Sequence, residues 1–162
     1  VFMSNILVAY FSASGETARL AQNLAEAVSG ALYEIKPVQK YSAADLDWND
    51  KNSRSTIEMK DRNARPAMEG TADNIQNAEV VMVGFPIWWY EAPRIIQTFL
   101  ESYDFSGKTV IPFCTSGGSG FGNTEDILKK SCSAKTNWKP GRRFRADTDK
   151  AELKAWAESL GL

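Results

Sequence analysis

The chain has 162 residues, 43% hydrophobic and 24% charged, enough for one globular domain whose core needs no disulfide or metal staple. Its net charge is −1 with no basic stripe, which excludes nucleic-acid binding driven by phosphate neutralisation. It has no histidine, which excludes Ser-His-Asp and Cys-His catalysis and removes the commonest zinc ligand.

Asn5 to Phe11 is a short apolar run and predicts a buried first strand. From Gly15 the period changes to about 3.6: Leu20, Ala21, Leu24, Ala25 and Val28 share one helical face, and Ser29-Gly30 ends the helix. Leu32 to Lys36 predicts a second, edge-like strand. Pro37 to Asn77 is polar and predicts an insertion wrapped over a sheet edge, with at most short helices near Ala43–Trp48 and Thr71–Asn77. Glu79 to Phe85 predicts a central strand. Ala92 to Tyr103 predicts a helix with Pro93 in its first turn and Ile95, Ile96, Phe99, Leu100 and Tyr103 facing inward. Lys108 to Thr115 predicts the fourth strand, with a bulge or local break at Pro112. A helix over Asn123 to Cys132, a weak fifth strand over Thr136 to Trp138 with continuation past Gly141 left open, and a helix over Thr148 to Leu160 complete the chain. Arg142-Arg143-Phe144-Arg145 is expected to be a solvated loop.

Apolar strands alternating with amphipathic helices imply one α/β domain, a parallel sheet covered on both faces. Cys114 and Cys132 form no CxxC pair and are expected to be free, buried thiols. No stretch reaches the roughly 20 apolar residues of a membrane span, and no secretory leader pattern opens the chain, so no membrane contact and a cytoplasmic location are expected.

In such a sheet, ligands bind at the carboxyl ends of strands where the strand order reverses. Three strand ends carry unusual sequence. Ser12-Ala13-Ser14-Gly15-Glu16-Thr17 concentrates hydroxyls, a glycine and the free N–H groups of a helix start. That is a donor set for a phosphate monoester, and a single helix cap would need one hydroxyl, not three. It lacks the Gly-Lys-Ser/Thr ending of a Walker A loop, the G-x-G-x-x-G dinucleotide pattern and a phosphatase cysteine, so it is suited to holding a phosphate and not to cleaving one. Pro86-Ile87-Trp88-Trp89-Tyr90 ends the third strand with three consecutive aromatics; one Trp is expected to pack and the other to meet a flat ligand. Thr115-Ser116-Gly117-Gly118-Ser119-Gly120-Phe121-Gly122 exposes backbone amides able to bond the edge of a heterocycle.

These segments resemble the flavodoxin family, in YFSASGET (Tyr10 to Thr17), GFPIWWYEAP (Gly84 to Pro93) and GKTVIPFCTSGGSGFG (Gly107 to Gly122), and the resemblance spans nearly the whole chain. It implies a flavodoxin-like five-stranded parallel sheet in the order 2-1-3-4-5 and non-covalent FMN. By that resemblance Ser12, Ser14, Gly15, Glu16 through its N–H, and Thr17 hold the phosphate, without a cationic side chain. Pro86, Ile87, Trp88, Trp89 and Tyr90 line the ring, and the stretch with Ser116, Gly117, Gly118, Ser119 and Gly122 contacts its pyrimidine side. The implied activity is electron transfer or oxidoreduction through FMN, with no catalytic side chain required.

The chain departs from the strongly acidic electron shuttles of that family, and its third loop lacks their Gly-Asp and stacking Tyr. A redox partner protein is one expected partner. NAD(P)H with a quinone or similar acceptor is the alternative, with Arg54, Arg62 and Arg65 as candidates to meet a nicotinamide phosphate. A phospho-accepting regulatory module is disfavoured because no acidic cluster stands at the strand ends, and a serine hydrolase because no G-x-S-x-G elbow is present.

Overall fold

A computed structural model describes residues 5–13, 15–72, 75–88, 91–115 and 124–162. In chain order the elements are β1 (Ile6–Tyr10), α1 (Glu16–Val28), β2 (Ala31–Glu34), β3 (Lys36–Pro37), α2 (Arg54–Lys60), β4 (Met68–Glu69), a 3-10 turn (Ile75–Asn77), β5 (Val80–Pro86), α3 (Arg94–Ser102), β6 (Thr109–Thr115), α4 (Thr124–Lys129), β7 (Asn137–Trp138), β8 (Arg142–Phe144) and α5 (Lys150–Ser159). The main sheet runs β2-β1-β5-β6-β7, with β8 also on β6, and every pair in it is parallel. This is the flavodoxin-like order, its fifth strand present as two pieces.

Side chains of β1 alternate between two cores, as the two-residue period of a strand requires. Leu7, Ala9 and Phe11 join Ile95, Ile96, Phe99 and Leu100 of α3 on one face. Ile6, Val8 and Tyr10 join Leu20, Ala21, Leu24 and Val28 of α1 and Leu153, Trp156 and Ala157 of α5 on the other. α1 ends on Ser29, which adopts a left-handed conformation with φ of 56°.

Several local expectations are corrected. β6 has no bulge or break at Pro112, which pairs in unbroken register with Val83. The imide nitrogen of Pro112 faces away from β5, on the side where β7 pairs Thr109–Val110 and β8 pairs Phe113–Thr115. It falls in the gap between them, so the missing N–H interrupts no ladder bond. Arg142 to Phe144 is no loop but strand β8, with Phe144 buried edge-on against Trp156 at 4.9 Å.

The insertion places its helix at Arg54–Lys60 and not near Ala43–Trp48. There, Ser42 and Asp45 exchange side-chain-to-backbone bonds, but Asp47 and Asp50 then accept the Asn49 and Asn52 amides and divert the chain into turns. α2 starts instead on Ser53, whose hydroxyl accepts the Thr56 amide. Over 71–77 only the 3-10 turn forms among the described residues. The antiparallel pair β3–β4 closes the base of this excursion, with Lys36 opposite Glu69. α4 is also shorter than the expected Asn123 to Cys132; its last turn gives way before Ser131.

Gly84 is demanded by packing. A Cβ there would lie 2.2 Å from the ring of Phe113, its partner across β5–β6. Gly84→Ala is expected to destabilise the chain by about 1–3 kcal/mol. Urea unfolding checks this, and Phe113→Leu in the same chain should recover part of the loss by making room.

Candidate functional site

The carboxyl ends of β1, β5 and β6 lie side by side, because β1 pairs β5 and β5 pairs β6 in parallel. The three unusual segments therefore leave one rim of one sheet. Phe11, just past β1, donates its amide to the Gly84 carbonyl at 3.0 Å and ties the first strand end to the second.

The first segment turns on Gly15, at φ 93° and ψ −12°, directly before α1. Its amide donates to Ser12 Oγ at 3.0 Å, and nothing lies within 4 Å of where its Cβ would be. The position is open in space, and it is the left-handed backbone that calls for glycine. Glu16 follows, exposed, in the first turn of α1, where N–H groups have no intrahelical acceptor and the dipole favours an anion. Ser12 and Ala13 are half-buried. Thr17 is buried, and its hydroxyl lies 2.7 Å from that of Thr115 at the end of β6. Two hydroxyls offer two protons, and their mutual bond uses one. The other is left at the junction of the first and third segments. No lysine or arginine occurs from Ser12 to Thr17.

In the second segment Pro86, Ile87 and Trp88 are half-buried. Trp88 packs in T-shaped contacts with Phe11 (5.8 Å) and Tyr41 (5.4 Å). Trp88 and Glu91 exchange both backbone bonds, at 2.8 and 3.0 Å. Ser14, Trp89, Tyr90 and the stretch with Ser116, Gly117, Gly118, Ser119 and Gly122 lie outside the described residues. A cleft of about 370 Å³ opens beside Ser12 and Ala13, walled by Lys36, Lys40, Tyr41 and Glu69.

Sequence reasoning missed two residues that support this rim. Tyr41 comes from the polar excursion. Its hydroxyl donates to Glu58, its ring carries the Arg54 guanidinium at 3.8 Å, and it makes T-shaped contacts with Phe11 and Trp88. Burial, then the bond to Glu58, pushes its phenol well above the usual range. Arg94 is 2% exposed. Its Nη2 donates to the Met59 carbonyl at 2.8 Å, its Nε to the carbonyls of Glu58 and Asp61, and its Nη1 to Glu91 Oε1 at 2.9 Å and Gln97 Oε1. The Glu91-to-Arg94 spacing at the start of a helix is the one signal that points to it, since arginine is seldom fully buried.

Of the arginines proposed for a nicotinamide phosphate, Arg54 is engaged by Glu58, Tyr41 and the Gln39 carbonyl, and Arg65 by Glu101 and two backbone carbonyls. Arg62 is 72% exposed, 4.0 Å from Glu91. The bond from Arg65 holds the Glu101 carboxyl below its ordinary range. Among the described residues no cluster of His, Cys, Asp and Glu could hold a metal ion, and no helix is long and apolar enough to cross a membrane.

Cys114 and Cys132 are free; Cys114 is buried and Cys132 half-buried. Burial pushes the first thiol up from 9.0 to about 12 and the second to about 11. Neither is a thiolate near neutrality, so native protein is expected to resist alkylation at about pH 8 while unfolded chain reacts. The folded values are raised, so the thiols' contribution to stability is present below pH 9.0 and lost as pH climbs towards about 11 to 12. Denaturant midpoints measured across that window should fall less steeply in Cys114→Ala.

A family model described as flavodoxin matches residues 5–160. A candidate flavoprotein of Bacteroides eggerthii is 52% identical, with a TM-score of 0.92 over 98% of this chain and 99% of its own. One of Bacteroides uniformis is 50% identical, with a TM-score of 0.89 over 96% and 98%. A flavoprotein of Lactobacillus acidophilus, solved in complex with FMN, shares the fold at 22% identity, with a TM-score of 0.69 over 95% and 99%. No curated protein matches the chain.

Proposed function

The chain belongs to the flavodoxin family, and on that premise we propose that it binds FMN non-covalently at the rim of β1, β5 and β6 and serves in oxidoreduction. One observation carries the reading. A left-handed Gly15 opens α1, Ser12 is held by the Gly15 amide, and the Thr17–Thr115 pair has a proton to donate. These neutral donors converge where a phosphate dianion gains most from amides and a helix dipole. The Lactobacillus acidophilus relative that holds FMN has the same fold.

The donor set fits the group. Ser12, Ser14, Thr17 and the first-turn amides of α1 would hold the phosphate. The Pro86–Tyr90 segment, with Trp88 fixed by Phe11 and Tyr41, would wall the ring, and the stretch from Ser116 to Gly122 would meet its polar edge. When bound, FMN supplies electron or hydride transfer. The protein's part is to bind, orient and exclude water. An apolar wall beside the ring disfavours extra negative charge on it by desolvation. No side chain here needs to act as acid, base or nucleophile.

A second reading, an NAD(P)H-dependent reductase of a quinone-like acceptor, is favoured by the near-neutral charge and by Arg62, exposed beside Glu91 of the aromatic segment. Purified chain should take up FMN and show its absorption bands; a colourless protein that takes up no flavin ends the proposal. Anaerobic NADPH then separates the two roles: bleaching within the mixing time favours the reductase, and none favours a carrier reduced by a partner protein.

A further inference from the structure

We propose that Arg94 is a positioning residue that locks the excursion helix α2 to Glu91 and, through it, to Trp88, so that a disturbance of α2 is passed to Trp88 at the ring site. The carbonyls of Glu58, Met59 and Asp61 form the carboxyl end of α2, where a helix leaves acceptors unsatisfied and favours a cation. Arg94 reaches all three, from a different element 33 to 36 residues away. The same guanidinium holds Glu91, whose backbone bonds that of Trp88 in both directions. A planar cation with five N–H donors can serve both partners together; a lysine ammonium cannot.

A second contact supports the link. Tyr41 is tied to α2 through Glu58 and Arg54, and its ring abuts Trp88. The segment is thus held to α2 at Glu91 through Arg94 and at Trp88 through Tyr41. Anything that loosens α2 loosens the ring wall, and a molecule docking on the excursion would be felt at the flavin.

The coupling is independent of the proposed cofactor; only its effect on the ring rests on that reading. Amide hydrogen exchange on the full chain, with and without FMN, follows Ile57 and Asp61 in α2 and Trp88 and Glu91 in the segment, all hydrogen-bonded amides. Arg94→Lys should accelerate both pairs together. It should also weaken FMN and riboflavin by a common factor, because the ring wall and not the phosphate cradle is disturbed. At saturation the visible circular dichroism of the bound flavin should change, which a role in stability alone would not produce. Ser53→Ala, which loosens α2 at its far end, should likewise accelerate Trp88 and Glu91.

Acceleration of α2 in either variant with Trp88 and Glu91 at wild-type rates would overturn the coupling. An unchanged dichroism at saturation in Arg94→Lys would overturn its effect on the ring. A wild-type chain that takes up no flavin would refute the proposed function and leave the exchange result standing.

Discussion

Riboflavin is expected to bind roughly a hundredfold more weakly than FMN, or worse, when flavin fluorescence quenching is titrated with apoprotein. The two ligands differ only in the phosphate, so the ratio isolates the cradle at the start of α1. Each hydrogen bond to a charged group is worth about 1.5–3 kcal/mol, so two such bonds already reach a hundredfold. The cradle offers more than two. Ser12 accepts from the Gly15 amide, which polarises its own O–H as a donor. The first-turn amides of α1 and the remaining proton of the Thr17–Thr115 pair add to it.

Thr17→Val separates these contributions. It should weaken FMN by about tenfold while leaving riboflavin unchanged, because the ring is held elsewhere. Equal affinity for FMN and riboflavin would mean that the phosphate does not sit in this cradle.

Arg94→Met is expected to destabilise the chain by about 3 kcal/mol or more. The guanidinium is 2% exposed, and the structure gives it five acceptors. Its removal leaves the carboxyl end of α2 unsatisfied and the Glu91 carboxylate, 19% exposed, without its short partner. The cost comes from the groups left behind, not from the lost arginine. Adding Glu91→Gln to Arg94→Met should therefore cost less than the sum of the two single changes. Urea unfolding reads both. A midpoint shift at constant slope is the expected form; a loss below about 1 kcal/mol would mean that water replaces the arginine.

Much of the scaffold was legible because burial imposes periods on the sequence. The β1 and β5 runs are apolar at nearly every position, as strands covered on both faces must be, and α1, α3 and α5 repeat their apolar residues near 3.6. The excursion was not legible for the opposite reason. Few of its residues are apolar, so α2 is placed by a serine cap and by Arg94 rather than by a stripe facing a core. The polar character of Arg142 and Arg143 hid β8, whose pairing to β6 is made by the backbone. Pro112 suggested a break only because no local rule reveals that the strand beside it is itself interrupted there.

By itself, the sequence determined the parallel α/β sheet, the family resemblance and the three rim segments, since each rests on local chemistry: apolar period, free amides, hydroxyls and aromatics at strand ends. The tertiary structure alone decided how those segments are braced. Thr17 meets Thr115 across 98 residues, Trp88 packs on Phe11 and Tyr41 from two other segments, and Arg94 caps a helix it does not belong to. Such contacts join groups whose side chains carry no mark of their partners. They come together only after strand order has set which ends lie side by side.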